Sequence, residues 1–332
     1  MASYIARRKF LATLLGGAAA WPLAVRAQQP HRMRRIGVLM AYADREYRSH
    51  LAAFREELQE LGWTEGRDVQ IDYRWAALDP ESMRRFAREL IALQPDVILS
   101  ASSPTTASLL QETRSIPIIF ANVSDPIGSG FVTSFARPGG NVTGFITMEP
   151  TMAGKWLELL KEIAPRVTKC ALLFNPTTAP YAEYFLNPFK AAAASFAVEA
   201  IIANVRDAAE LETAIAAQTR EPNGGLIVMP DTFTTVQRAK ITALAAQYRL
   251  PAVYPFRFFA ANGGLLSYGS DTVDNYRRSA TYVDRVLHGA KPSELPVQAP
   301  VKFELVVNLK TAKTLGLDVP PLLQQRADEV IE

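Results

Sequence analysis

The run Ile116-Pro117-Ile118-Ile119-Phe120-Ala121 is apolar throughout. It leads directly into Asn122-Val123-Ser124-Asp125-Pro126-Ile127-Gly128, a stretch of polar and turn residues. A short apolar run with no alternation suits a strand covered on both faces, as in a parallel sheet. Such sheets bind ligands beyond the carboxyl ends of their strands, so Asn122, Ser124 and Asp125 are candidates to face one. The same residue types also serve any turn after a strand. Recurrence of the pattern elsewhere in the chain is what favours the first reading.

Strands are expected at Arg35 to Met40, Val69 to Trp75, Asp96 to Ser100, Ile116 to Ala121 and Val142 to Met148. Helical periodicity lies between them: Leu51, Phe54, Leu58 and Leu61 before Gly62, then Pro80 to Leu93, then Thr105 to Thr113. Past Glu149-Pro150 the alternation restarts. Helices are expected at 155–163, 181–196 (kinked or split by Pro188), 208–218 and 236–248, and strands at 170–174, 199–203, 225–229 and 252–254. Strand–helix alternation implies parallel sheets with right-handed crossovers. The reading is an α/β protein of two Rossmann-like lobes, 34–149 and 150–254. The tail, 255–332, holds a strand at Leu265 to Tyr268, an amphipathic helix from Val273 to His288, a linker with three prolines, and an alternating strand from Phe303 to Asn308. It is expected to cross back between the lobes as hinge strands, leaving returning segments on the first.

Five strand ends carry polar groups: Ala41 to Tyr47, Ser102-Ser103, Asn122 to Asp125, Asn175 and Asp231. Tyr254, Arg257, Tyr268 and Asp271 join them from the tail. Two facing lobes would gather these ends into one cleft. Ser102-Ser103-Pro104-Thr105 reads as a helix entry whose hydroxyls and backbone N–H groups suit a carboxylate, or as plain capping. Asp125 or Asp271 could pair with an ammonium. Tyr42, Tyr47, Tyr254 and Phe256 could stack on a flat ligand, or simply pack.

Charge excludes other classes. The formal charge is +3, but residues 1–27 hold four of the 36 basic residues and no acid; the remainder has 32 basic against 33 acidic residues. A near-neutral chain offers no electrostatic case for nucleic acid. The single Cys170 rules out an internal disulfide and reads as a buried small hydrophobe. His31, His50 and His288 are scattered, and no G-x-S-x-G, G-x-G-x-x-G or phosphate-loop motif is present, so no catalytic or metal residues and no cofactor are expected. Residues 1–27 read as an export signal: Arg7-Arg8-Lys9-Phe10-Leu11, an apolar Ala- and Gly-rich stretch, then Val25-Arg26-Ala27 before Gln28. The paired arginines resemble a twin-arginine signal, and an ordinary secretory signal is the alternative. Either places the mature chain in the periplasm.

Several runs together resemble a known family. They are Phe54-Arg55-Glu56-Glu57-Leu58, Leu61-Gly62-Trp63, Gly66-Arg67-Asp68-Val69, Asp125-Pro126 with Gly128, Arg137-Pro138-Gly139-Gly140-Asn141-Val142-Thr143-Gly144, and Asn308-Leu309-Lys310-Thr311-Ala312 with Leu315-Gly316-Leu317 and Pro320. The chain is similar to the ABC-transporter substrate-binding family that includes the tryptophan-binding lipoproteins. The resemblance implies a type I periplasmic-binding-protein fold, two lobes around a hinge, and delivery of a solute to an inner-membrane permease. It covers nearly the whole mature chain but lacks the lipid-anchor cysteine, which suits a freely diffusing monomer. An amino acid or a small aromatic carboxylate is the expected ligand. Its carboxylate would lie at Ser102, Ser103 and Thr105, with Asn122, Asp125, Tyr254 and Asp271 around the remainder. The rival readings are a sensory partner of a membrane receptor and an exported α/β enzyme.

Overall fold

Apolar segments too short to shield themselves must be buried by neighbours, and here two stacks of them form two sheets. A computed structural model describes residues 32–42 and 47–332; the expected export signal, His31 and residues 43–46 of the first strand end lie outside these. The first sheet contains β1 (Arg34–Met40), β2 (Val69–Trp75), β3 (Val97–Ser100), β4 (Ile118–Val123) and β5 (Val142–Ile146) in the order β2-β1-β3-β4-β5, all parallel. Helices α1 (Arg48–Glu60), α2 (Pro80–Ala92) and α3 (Ser103–Glu112) connect them. Strands β3, β4 and β5 are buried almost end to end, as expected of strands covered on both faces.

The second sheet contains β6 (Lys169–Phe174), β7 (Glu199–Asn204), β8 (Gly224–Val228), β9 (Ala252–Tyr254), β10 (Leu266–Ser270), β11 (Phe303–Asn308) and β12 (Glu329–Ile331), in the order β12-β11-β10-β9-β8-β6-β7. It is parallel except where β11 runs against β10. Its helices are α4 (Met152–Ile163), α5 (Glu183–Ser195), α6 (Ala208–Ala217), α7 (Thr232–Val236), α8 (Arg238–Gln247) and α9 (Arg257–Ala261). The tail adds α10 (Thr272–Leu287), α11 (Leu309–Leu315) and α12 (Pro321–Arg326). The chain is thus α/β, with two lobes in the type I periplasmic-binding-protein arrangement.

The strands of the tail pair into the second sheet, where β10 runs parallel to β9 and extends it. Helix α10 returns to the first lobe, where it packs along α1 and places Asp284 Oδ1 2.9 Å from Trp63 Nε1. The proline-rich linker also does more than connect. Gln298 makes a bridge beside Phe145, and Leu295 O accepts from Thr143 Oγ1 at 2.6 Å, so the linker shields the open edge of β5. Pro188, expected to kink or split its helix, does not split α5.

The Asn-Val-Thr-Gly end of the quoted run has a steric cause. Gly144 sits on β5 at φ +152°, and a Cβ there would come within 2.0 Å of Phe120 O on β4. Only glycine lets the two strands pair at that point. Replacing Gly144 with Ala should therefore cost about 2–4 kcal/mol and lower the thermal midpoint, read by circular dichroism. An unchanged midpoint would show that β4 and β5 are not held at this separation.

Candidate functional site

Because every strand but β11 and β12 runs in one direction within its sheet, the polar strand tips of each lobe collect along one edge, and the two edges face each other. Between them lies a cavity of only about 30 Å³, room for a water or two, so the lobes stand closed with their walls almost in contact. Its first-lobe wall is Tyr42, Tyr47, Ser102, Ser103, Asn122 and Ser124; its second-lobe wall includes Tyr181, Pro230, Asp231, Thr232 and Phe256.

Of the twelve residues proposed from sequence, Tyr42, Ser102, Ser103, Asn122, Ser124 and Asp231 line this space. The other six do not. Thr105 is buried beneath it, its hydroxyl accepting from Ser102 N at 3.0 Å in a reciprocal capping box. Asn175 folds its own loop, accepting from Thr177 N at 2.8 Å. Asp125 accepts from Gly128 N at 2.8 Å and faces an adjoining pocket. Tyr254 is stacked on Phe259 in the second core, centroids 5.1 Å apart. Tyr268 packs on Phe303. Asp271 caps α10 and pairs with Lys302 Nζ at 2.7 Å. In each case a local partner has taken the group that a ligand would need.

The helix entry at Ser102 is less open than its sequence suggests. Pro104 has no N–H, Thr105 N reaches Ser102 Oγ at 3.5 Å, and Ser103 Oγ accepts from Ser124 N at 3.1 Å. Hydroxyls rather than free N–H groups are what α3 presents there.

The first-lobe wall is aromatic. Tyr42 and Tyr47 stack at 4.1 Å with their planes 10° apart, and Tyr47 lies 4.2 Å from His50. His50 is buried and hydrogen-bonded to Thr272 Oγ1 at 2.8 Å. Burial drives its pKa down to about 4, against a smaller opposing pull from Asp271, so the ring is neutral at pH 7. Asn122 stands at φ +57°, a conformation Asn tolerates better than most residues. It is fixed by Asn275 Nδ2, 2.7 Å from its Oδ1. Asn275 also donates to Ile146 O at 3.0 Å, and Ser270 Oγ donates to Thr147 O at 2.7 Å. These bonds tie together the two places where the chain crosses from β5 and from β10.

In the second lobe Asp231 is buried, accepts from Asn175 N at 2.9 Å and Phe233 N at 3.1 Å, and takes the Thr178 hydroxyl. Burial raises its pKa to about 6 despite these donors. Tyr181 donates to Pro230 O at 2.9 Å and reaches Ser124 across the cleft. The sequence reading did not single out Tyr181, Thr147, Thr232, Thr235 or Thr272. Thr272 follows Asp271, which had been noted, so it was within reach; Thr147 falls inside the strand expected from Val142 to Met148, and Tyr181 is the first residue of an expected helix that begins instead at Glu183.

No catalytic or metal constellation was expected from sequence. The described residues contain no group of three His, Cys, Asp or Glu that could hold a metal. Cys170 is buried, its thiol pKa pushed up by loss of solvent.

The two buried groups have opposite linkages to pH. His50 has a folded pKa below its unfolded one, so its contribution to stability is lost as pH falls from about 6.5 through 4. Asp231 has a folded pKa above its unfolded one, so its contribution is lost as pH rises from about 4 through 6. Each is worth about 3 kcal/mol, and across pH 4–6 they nearly cancel. Urea unfolding between pH 4 and 7 should therefore be almost flat for the parent chain. It should fall with rising pH in His50→Gln and rise in Asp231→Asn. Parallel profiles for the two variants would contradict these burials.

Comparisons with known proteins follow the same lines. Residues 36–331 match the family described as ABC transporter substrate binding protein. A tyrosine-binding protein of Clostridioides difficile (strain R20291) is 24% identical over 264 residues, covering 80% of this chain and 75% of that protein. A conserved domain protein of Vibrio cholerae superposes with a TM-score of 0.84 at 26% identity, over 90% of this chain and 100% of the other. A Streptococcus pneumoniae ABC domain in complex with L-Trp does so with a TM-score of 0.84 at 25% identity, again over 90% and 100%. Matched over most of its length, the chain belongs to the ABC transporter substrate-binding protein family.

Proposed function

We propose that this protein is the periplasmic receptor of an ABC importer, and that it binds an aromatic amino acid between its lobes and delivers it to a permease. The observation that carries the reading is the chemistry of the interlobe walls, which would part to admit a ligand: stacked tyrosines on one, strand-tip hydroxyls around them, and residues from both lobes. A flat side chain would lie against Tyr42 and Tyr47. The carboxylate would meet the hydroxyls of Ser102 and Ser103, with Asn122, Ser124 and Asp231 around the rest. The relatives that bind tyrosine and L-Trp support this ligand class. Basic residues 7–9 followed by an apolar run support export and a periplasmic site of action.

Solute receptors of this kind act by closure. A ligand that touches both lobes stabilises the closed form, and the permease reads that form. Micromolar affinity corresponds to about −8 kcal/mol. One aromatic stack and a few charge-assisted hydrogen bonds supply that, less the cost of ordering the hinge.

Isothermal calorimetry with L-tyrosine and L-tryptophan tests the reading. At least one should bind, and at a hundred times its Kd should stabilise the chain by about 2.7 kcal/mol. Tyr42→Ala should weaken it by about 2 kcal/mol, roughly thirtyfold. Absence of heat and of thermal stabilisation with either amino acid would overturn the proposal.

A further inference from the structure

Of the polar side chains lining the interlobe space, one stands out. Thr232 is 4% exposed, faces the cavity, and its Oγ1 finds no hydrogen-bond partner among the described residues. Its neighbours behave otherwise. Thr178 gives its hydroxyl to Asp231, and Thr234 donates to Met229 O and Asp231 O, each at 3.0 Å. A buried hydroxyl left unpaired costs a fold about 1–3 kcal/mol, so an orphan at the wall of a binding cavity calls for a partner that comes from outside the chain.

We infer that Thr232 Oγ1 is a ligand-binding group of the second lobe, and that it accepts a hydrogen bond from a donor on the ligand. This rests on the receptor reading above and adds to it a residue and a chemistry. The ligand group is a donor because of what surrounds the hydroxyl. Asp231 buries a carboxylate in the adjacent residue, Pro230 O lies on the same wall, and no Lys or Arg lines the cavity among the described residues. A ligand acceptor there would meet oxygen lone pairs, whereas an N–H or O–H would not.

The contact also has a direction. Ser102 and Ser103 are on the first lobe and Thr232 on the second, so a ligand held at the serines reaches Thr232 only once the lobes have closed. Its hydrogen bond favours the closed form over the open one, which is the difference a receptor must generate.

The test is a cycle between protein and ligand. The parent chain, Thr232→Val and Thr232→Ser are titrated calorimetrically with L-tyrosine, L-phenylalanine and 3-(4-hydroxyphenyl)propionate; the last two lack the ring hydroxyl and the ammonium in turn. L-Tryptophan replaces L-tyrosine as parent ligand, with indole-3-propionate as its deaminated analogue, if only tryptophan binds. Valine keeps the shape and removes the hydroxyl. It should weaken the parent ligand ten- to a hundredfold, leave unliganded thermal stability equal or higher, and be rescued by serine. One analogue, the one missing the donor that meets Thr232, should bind parent and valine chains alike. Equal affinity of the parent and valine chains for the amino acid overturns the inference and leaves the receptor reading intact. So does an equal loss for every ligand. Loss of unliganded stability in Thr232→Val also overturns it, since the hydroxyl would then have a partner within the chain. No binding of either amino acid by the parent chain overturns the receptor reading and this inference together.

Discussion

Strand direction is the constraint on which the rest of this structure depends. Parallel pairing puts every carboxyl end of a sheet along one edge, so the polar residues that end each apolar run have no choice of side. The crossings between lobes exploit the same edge. The chain leaves the first sheet at the end of β5, leaves the second at the end of β10, and re-enters it at Phe303, which pairs with Ser270 at the end of β10. With each crossing at that edge, the two sets of tips are drawn together. The cavity between them follows from topology before any side chain is chosen.

The crossings are also where the polar network is densest. Asn122, Asn275, Ser270, Thr272 and His50 bond to one another or to the crossing backbone over separations of more than a hundred residues. Buried polar groups tolerate little misplacement, so this network fixes where the first lobe ends and α10 begins. Strands on either side are apolar and buried. The cavity itself presents hydroxyls, amides and rings, with Asp231 as its one carboxylate among the described residues. Such a surface can desolvate a zwitterion without stranding a charge of its own.

Most of the fold was legible in the sequence, because apolar runs and helical periodicity report burial directly. The strands from Arg34 to Phe174 fall within a few residues of where the pattern put them. The tail was harder. Whether Leu266–Ser270 extends a sheet or bridges two is decided by pairing partners that lie far along the chain, and no local pattern encodes them. The short helices Thr232–Val236 and Arg257–Ala261 were too brief for periodicity to reveal. Strand-end position pointed to Tyr42, Ser102, Ser103, Asn122, Ser124 and Asp231, which line the interlobe space. It could not distinguish them from Asp125, Asn175 or Asp271, which are equally polar but which the chain directs away from the space between the lobes. Tyr254 misled for another reason: at the end of a strand only three residues long its ring packs into the core instead of the cleft.

Small-angle X-ray scattering with and without saturating L-tyrosine or L-tryptophan measures most directly whether the two lobes close on a ligand. The radius of gyration should fall on addition of the amino acid that binds, and the scattering curve of the complex should match the closed arrangement described above. Binding with an unchanged radius of gyration would contradict the account, because the cavity would then be filled without the lobes moving and nothing would signal its occupancy.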